Sequence, residues 1–73
     1  MEKLTVKNLY EMCQNQIRKG NGDKIVCLSR DDEGNGYHYL WYDFLDDKKS
    51  IKMIEGMDML PSGADPNNIV LLG

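Results

Sequence analysis

The dipeptide Asn35-Gly36 constrains the fold of this chain more than any other feature, because it stands between two strand-like runs. Both central residues of a two-residue type I′ turn need φ > 0, which Asn and Gly adopt most readily. Residues 24–29 are rich in Ile, Val and Leu, and residues 37–44 are rich in aromatic side chains, as strands often are. The sequence therefore predicts a hairpin, with Arg30 facing Trp41, unless a longer acidic loop shifts the register.

An amphipathic helix is predicted before the hairpin. Its apolar residues recur at helical spacing, at Val6, Leu9, Tyr10, Cys13 and Ile17. Thr5 is a suitable N-cap, and Gly20 suits the left-handed position that follows a helix. We therefore expect a helix over residues 6–19, with Cys13 on its buried face.

The second half of the chain gives weaker signals. Residues 46–50 read as a solvated loop, and residues 51–55 as a short third strand, although Ile51 and Ile54 also fit a helical turn. Residues 56–68 contain two prolines and two glycines and predict a long irregular connection. Residues 69–72 are apolar throughout and predict a buried final strand.

A chain of 73 residues corresponds to one domain, spanning residues 1–73. The predicted class is α+β, with one N-terminal helix packed on a small, mainly antiparallel sheet of three or four strands. A domain of this size has little room for both a core and a deep pocket, which argues against an enzyme.

Composition excludes several classes of partner. The net charge of −3, without a basic face, argues against binding to nucleic acid. The N-terminus lacks the apolar segment of a signal peptide, and no apolar run is long enough to span a membrane. Cys13 and Cys27 are too far apart in sequence for a typical zinc site. We expect a cytoplasmic protein with reduced thiols and no cofactor.

The acidic segment 31–36 begins like a calcium-binding EF-hand loop. Asp31, Glu33, Asn35 and Gly36 occupy the first, third, fifth and sixth loop positions, but Tyr42 stands where the bidentate Glu belongs. Strands are predicted where the motif requires helices. The favoured interpretation is a solvated hairpin tip, and a weak calcium or ligand sensor is the alternative.

Strand alternation separates the aromatic residues into two faces. Leu40, Tyr42 and Phe44 are expected to face the core, with Phe44 opposite Cys27. Tyr37, Tyr39 and Trp41 then form an outward aromatic row, which is typical of a protein-binding surface. A second interpretation, equally open, has residues 56–68 covering this row as part of a small second core.

No catalytic residues are predicted. His38 is the single histidine, and the expected register places it opposite Glu33 rather than near either cysteine. A thiol on a buried helix face behaves as a small apolar group, so Cys13 is not expected to act as a nucleophile.

Three segments, "LTVKNL" at residues 4–9, "KIVCLSRDDEGNGYHYL" at 24–40 and the terminal "NIVLLG", resemble a family of small uncharacterised proteins of phages and conjugative elements. That family shares a T-V-x-x-L helix start and an S-x-D-x-E-G-N-G segment. The resemblance implies a helix followed by a small sheet and a bacterial mobile-element origin, and it carries over no catalytic residue. We expect an accessory protein that binds a host protein or a second copy of itself as a homodimer.

Overall fold

The computed structural model describes residues 3–73. Within that range the chain forms two helices and four strands. In chain order they are α1 (Val6–Arg18), β1 (Cys27–Ser29), β2 (Tyr37–Tyr39), β3 (Phe44–Leu45), α2 (Lys48–Gly56) and β4 (Leu71–Leu72). The predicted α+β class is confirmed. The strands, however, form two separate antiparallel pairs, β1 with β2 and β3 with β4, rather than a single sheet.

Helix α1 begins and ends where the sequence predicts. The Thr5 hydroxyl accepts a hydrogen bond from the Asn8 amide, and the Asn8 side chain accepts one from the Thr5 amide, each at 3.1 Å. These two bonds form a reciprocal capping box. At the other end Gly20 adopts φ +89°, and the chain turns back in a Schellman motif. No residue of α1 is buried, so the predicted burial of Cys13 is wrong.

The first strand pair is a hairpin, but its register differs from the prediction. Cys27 lies opposite Tyr39 and Ser29 opposite Tyr37, rather than Cys27 opposite Phe44. The connection is not a two-residue turn, because the Arg30 amide donates to the Gly36 carbonyl at 2.9 Å and closes a longer loop. Gly36 has the predicted positive φ, at +151°, whereas Asn35 does not.

Residues 51–55 lie in helix α2, so the predicted third strand is wrong and the alternative of a helical turn at Ile51 and Ile54 is confirmed. The loop predicted over residues 46–50 is confined to Asp46 and Asp47, because α2 begins at Lys48. The Asp47 carboxylate caps the helix by accepting hydrogen bonds from the Lys49 and Ser50 amides and from the Ser50 hydroxyl. Such a cap satisfies amides that otherwise have no partner at a helix start. At the far end Asp58 adopts φ +58°, which completes a second Schellman turn.

Burial is concentrated in the second half of the chain. Among the described residues Ile51 of α2 is the one fully buried side chain, at 1% exposure. The half-buried apolar residues of this half are Leu45, Ile54, Leu60, Ala64, Pro66, Ile69 and Leu71. The final strand is shorter and less buried than predicted, since it comprises only Leu71 and Leu72 and Leu72 is 36% exposed.

The chain as a whole is expanded for its size. Its accessible surface is 6743 Å², whereas a compact monomer of 8.4 kDa exposes about 4,600 Å². Its radius of gyration is 14.0 Å, against about 11 Å for a compact domain of this length. The predicted packing of the N-terminal helix on a sheet is accordingly not extensive, and large apolar surfaces remain open.

Candidate functional site

The loop that joins β1 and β2 is organised by the side chain of Asp31. Its Oδ1 atom accepts hydrogen bonds from the Glu33 amide at 3.0 Å and from the Asn35 amide at 3.1 Å. The Ser29 hydroxyl bonds the Asp31 backbone, and the Asn35 side-chain amide donates to Glu33 at 3.2 Å. Asp31 therefore holds the loop in shape as the acceptor of an Asx-type turn.

The corrected register determines which side chains share a face of the hairpin. Opposed residues in an antiparallel pair project to the same side, so Cys27, Ser29, Tyr37 and Tyr39 share one face. Leu28 and His38 lie on the other face, where Leu28 is half-buried. The sequence predicted Cys27 opposite Phe44. Its position on the same face as Tyr37 and Tyr39 was not predicted, because it depends on the length of the loop.

All three residues of the predicted aromatic row are exposed. The exposed fraction is 67% for Tyr37, 54% for Tyr39 and 70% for Trp41. The Tyr39 and Trp41 rings pack edge to face, with centroids 5.9 Å apart and an interplanar angle of 78°. This is a favourable geometry for an aromatic pair. Residues 56–68 leave the row open.

The opposite face does not form the core that alternation predicted. Tyr42 is 79% exposed and Phe44 is 41% exposed, and only Leu40 is half-buried. The physical reason is that β2 ends at Tyr39, so the alternation of a single strand does not continue to Phe44. Phe44 instead begins β3 and pairs with Leu72. Tyr42 thus adds a further exposed aromatic ring near the row.

The hydroxyl of Tyr37 connects the aromatic row to the acidic loop. A Cβ atom placed on Gly34 would lie 3.3 Å from that hydroxyl, so the Tyr37 ring extends back over the loop. Arg30 lies on the same loop, with its side chain across Gly36. The loop that carries Arg30, Asp32 and Glu33 therefore adjoins the Tyr37 end of the aromatic row.

Groups for catalysis or metal binding are not brought together in residues 3–73. Across that range no three His, Cys, Asp or Glu side chains are close enough to hold a metal ion. His38 lies opposite Leu28, not opposite Glu33 as predicted, and its Nδ1 atom contacts the Tyr39 carbonyl at 2.9 Å. Its ring lies on the other face of the hairpin from the Cys27 thiol.

The Asn35 amide holds the pKa of the Asp31 carboxyl below its ordinary value of 3.8, and the Glu33 amide acts in the same direction. A carboxyl with a lowered folded pKa stabilises the fold above its unfolded pKa, and the effect is lost as the pH falls through the folded pKa. We expect the amide resonances of Glu33 and Asn35 to share a transition whose midpoint lies below the ordinary carboxyl pKa of 3.8.

An NMR titration of the wild type beside Asp31→Ala tests this expectation, since the variant should lack the shared transition. Resonances that titrate identically in both proteins would contradict the role of Asp31. A calcium titration at neutral pH tests the alternative of a calcium sensor, which requires the chemical shifts of the same amides to change as calcium is added.

Two shallow clefts accompany these surfaces. One, of about 590 Å³, lies between the start of α1 and residues 67–70. The other, of about 440 Å³, lies along the β3–β4 pair and is lined mainly by apolar side chains. Neither contains His38 or a cysteine. The aromatic row is thus an open surface and not part of a pocket.

Comparisons with protein-family models, with curated proteins and with solved structures found no match. Over residues 3–73, neither helix has the length and apolar character needed to cross a membrane.

Proposed function

We propose that this chain is a non-enzymatic protein-binding module that contacts its partner through Tyr37, Tyr39 and Trp41. The observation that carries the proposal is the exposure of all three rings, with Tyr37 and Tyr39 on one face of a short hairpin and the Trp41 ring packed against Tyr39. Tyr and Trp offer large contact areas with few rotatable bonds, so they lose little entropy when a partner covers them. The edge-to-face pairing of Tyr39 with Trp41 further restricts both rings before binding.

The border of the row indicates the chemistry of the partner. Asp32 and Glu33 lie on the loop that adjoins Tyr37, and the chain carries a net charge of −3. Aromatic faces also attract guanidinium and ammonium groups. A protein surface that combines apolar side chains with Arg or Lys fits this arrangement, and its binding should weaken as salt increases.

The resemblance of residues 4–9 and 24–40 to small proteins of mobile elements supports a narrower form of the proposal. In that form the module is an accessory factor of a phage or conjugative element, acting in a bacterial cytoplasm on a host protein. The proposed binding surface does not depend on this setting.

Replacing Tyr39 and Trp41 together with Ala should abolish capture of the partner while leaving the hairpin folded, because both side chains are already more than half exposed. The matched control replaces Met57 and Met59 with Ala, which removes two similarly exposed apolar side chains elsewhere. Affinity capture from a host lysate, followed by binding measurements with the purified partner, compares the three proteins. Truncation of two aromatic anchors should weaken binding at least about 100-fold.

Trp41 is the single tryptophan and provides a second readout. Its emission should shift to shorter wavelength when the partner covers the row. A label on the Cys27 thiol, which shares the face, should block the same interaction. Equal binding by the double variant and the methionine control would contradict the proposal, as would unchanged Trp41 emission in a complex of defined composition.

A further inference from the structure

Helix α1 carries an apolar stripe that the described part of the chain leaves mostly exposed. The α1 stripe consists of Val6, Leu9, Tyr10, Cys13 and Ile17. Val6 is 54% exposed, Tyr10 61% and Ile17 62%. An isolated helix of 13 residues is marginally stable in water, and most helices in proteins depend on a packed apolar face. Some further surface must therefore cover the α1 stripe if α1 is to be stable.

The excess surface of the chain has the size of a subunit interface. The accessible area exceeds that of a compact monomer of the same mass by about 2,100 Å². Obligate interfaces bury roughly 1,000–2,500 Å² on each partner, and they resemble a divided protein core. One permanent association of that size would bring the chain to the burial expected of a folded domain.

We propose that the α1 stripe is the centre of an interface between two copies of this chain, with the two α1 helices antiparallel about a two-fold axis. In this arrangement Val6 lies opposite Ile17 of the second copy, and Tyr10 lies opposite Cys13. Each of the two Tyr10–Cys13 contacts then pairs a large side chain with a small one, which allows the two helices to pack closely. A two-fold interface uses the same patch on both copies, and the α1 stripe meets this condition.

Charge selects the antiparallel orientation over the parallel one. A parallel pair would align the two helix dipoles, whereas the antiparallel pair opposes them. The flank of the α1 stripe also includes Gln14, whose side-chain amide donates to the Tyr10 hydroxyl at 2.9 Å and holds that ring in place.

Sedimentation across a concentration series tests the proposal, with far-UV circular dichroism on the same samples. The wild type should sediment as a dimer and lose helix content on dilution, because α1 loses its cover when the copies separate. Ile17→Glu should raise the dimer dissociation constant at least about 100-fold, since it places a carboxylate in the apolar contact with Val6 of the second copy. Met12→Glu is the matched control: Met12 lies on the same helix, away from the α1 stripe, and is 49% exposed.

Cysteine cross-linking gives an independent test of which surface forms the interface. In a Cys27→Ser background, a short bismaleimide should join the two Cys13 thiols into a covalent dimer. The Cys13→Ser variant should give none. Cross-linking through Cys27 alone would instead place the aromatic face at the interface.

A wild type that sediments as a monomer at high micromolar concentration would overturn the inference, as would equal dimerisation by Ile17→Glu and Met12→Glu. The aromatic double variant distinguishes this inference from the proposed function. If it loses the partner and keeps the dimer, the two surfaces are separate. If it loses the dimer while Ile17→Glu keeps it, the homodimer uses the aromatic row and not α1.

Discussion

Replacing Ile51 with Ala should destabilise this protein by about 2–4 kcal/mol, the usual range when a fully buried aliphatic side chain is truncated. Ile51 is 1% exposed and is the one fully buried side chain in residues 3–73. A domain of this size has a core that rarely supplies more than about 3–5 kcal/mol. The variant should therefore be largely unfolded at ambient temperature.

Ile25→Ala is the matched control, because it removes the same atoms from a side chain that is 79% exposed. We expect its free energy of unfolding to stay within about 0.5 kcal/mol of the wild type. Urea unfolding, followed by circular dichroism at one protein concentration, compares the two variants. Equal losses of stability in both would mean that Ile51 does not anchor the fold.

The sequence predicted helix α1 well because its signals are local. Thr5, the apolar spacing from Val6 to Ile17 and Gly20 lie within one continuous segment and all indicate the same boundaries. Helix α2 was predicted only as an alternative to a third strand, although it has signals of the same kind. Asp47 is an N-cap residue, and Ile51 and Ile54 have helical spacing, but nine residues present too few repeats to exclude a strand.

The hairpin register could not be predicted, because it depends on a competition within the loop. Asn35-Gly36 favours a two-residue turn, whereas Asp31 offers a carboxylate to the amides of Glu33 and Asn35. The carboxylate gains two hydrogen bonds from the longer loop, which the short turn would forfeit. Cys27 consequently lies opposite Tyr39, and the strand ends before Phe44.

The aromatic row is exposed, as one of the two interpretations of the sequence predicted, but the physical reason differs from the predicted one. Alternation predicted an outward Tyr37, Tyr39 and Trp41 on the ground that Tyr42 and Phe44 would fill a core on the other face. In the structure that core is absent from the hairpin, and rings on both sides are exposed. The prediction assumed that the second face of the strand is buried within the chain, whereas both Tyr42 and Phe44 remain exposed.

Gly36→Val should destabilise the hairpin by about 1–3 kcal/mol, because a β-branched residue is strained at the φ of +151° that Gly36 adopts. A Cβ atom there would also lie 2.9 Å from Cδ of Arg30, so the Arg30 side chain must move as well. The matched control is Gly56→Val, since Gly56 lacks a positive φ and a Cβ atom there meets nothing within 4 Å. Thermal unfolding of both variants measures the difference.

Glu33→Gln is the informative companion to Gly36→Val. The Glu33 carboxylate accepts one hydrogen bond from the Asn35 side chain, and the amide oxygen of Gln can accept the same hydrogen bond. Because exposed charges contribute little to stability, the variant should unfold like the wild type. A disruptive Glu33→Gln beside a silent Gly36→Val would assign the loop to a bound ligand instead of to its backbone geometry. A larger loss of stability in Gly36→Val than in Glu33→Gln would show that the loop depends on the backbone conformation of Gly36 and not on the Glu33 carboxylate.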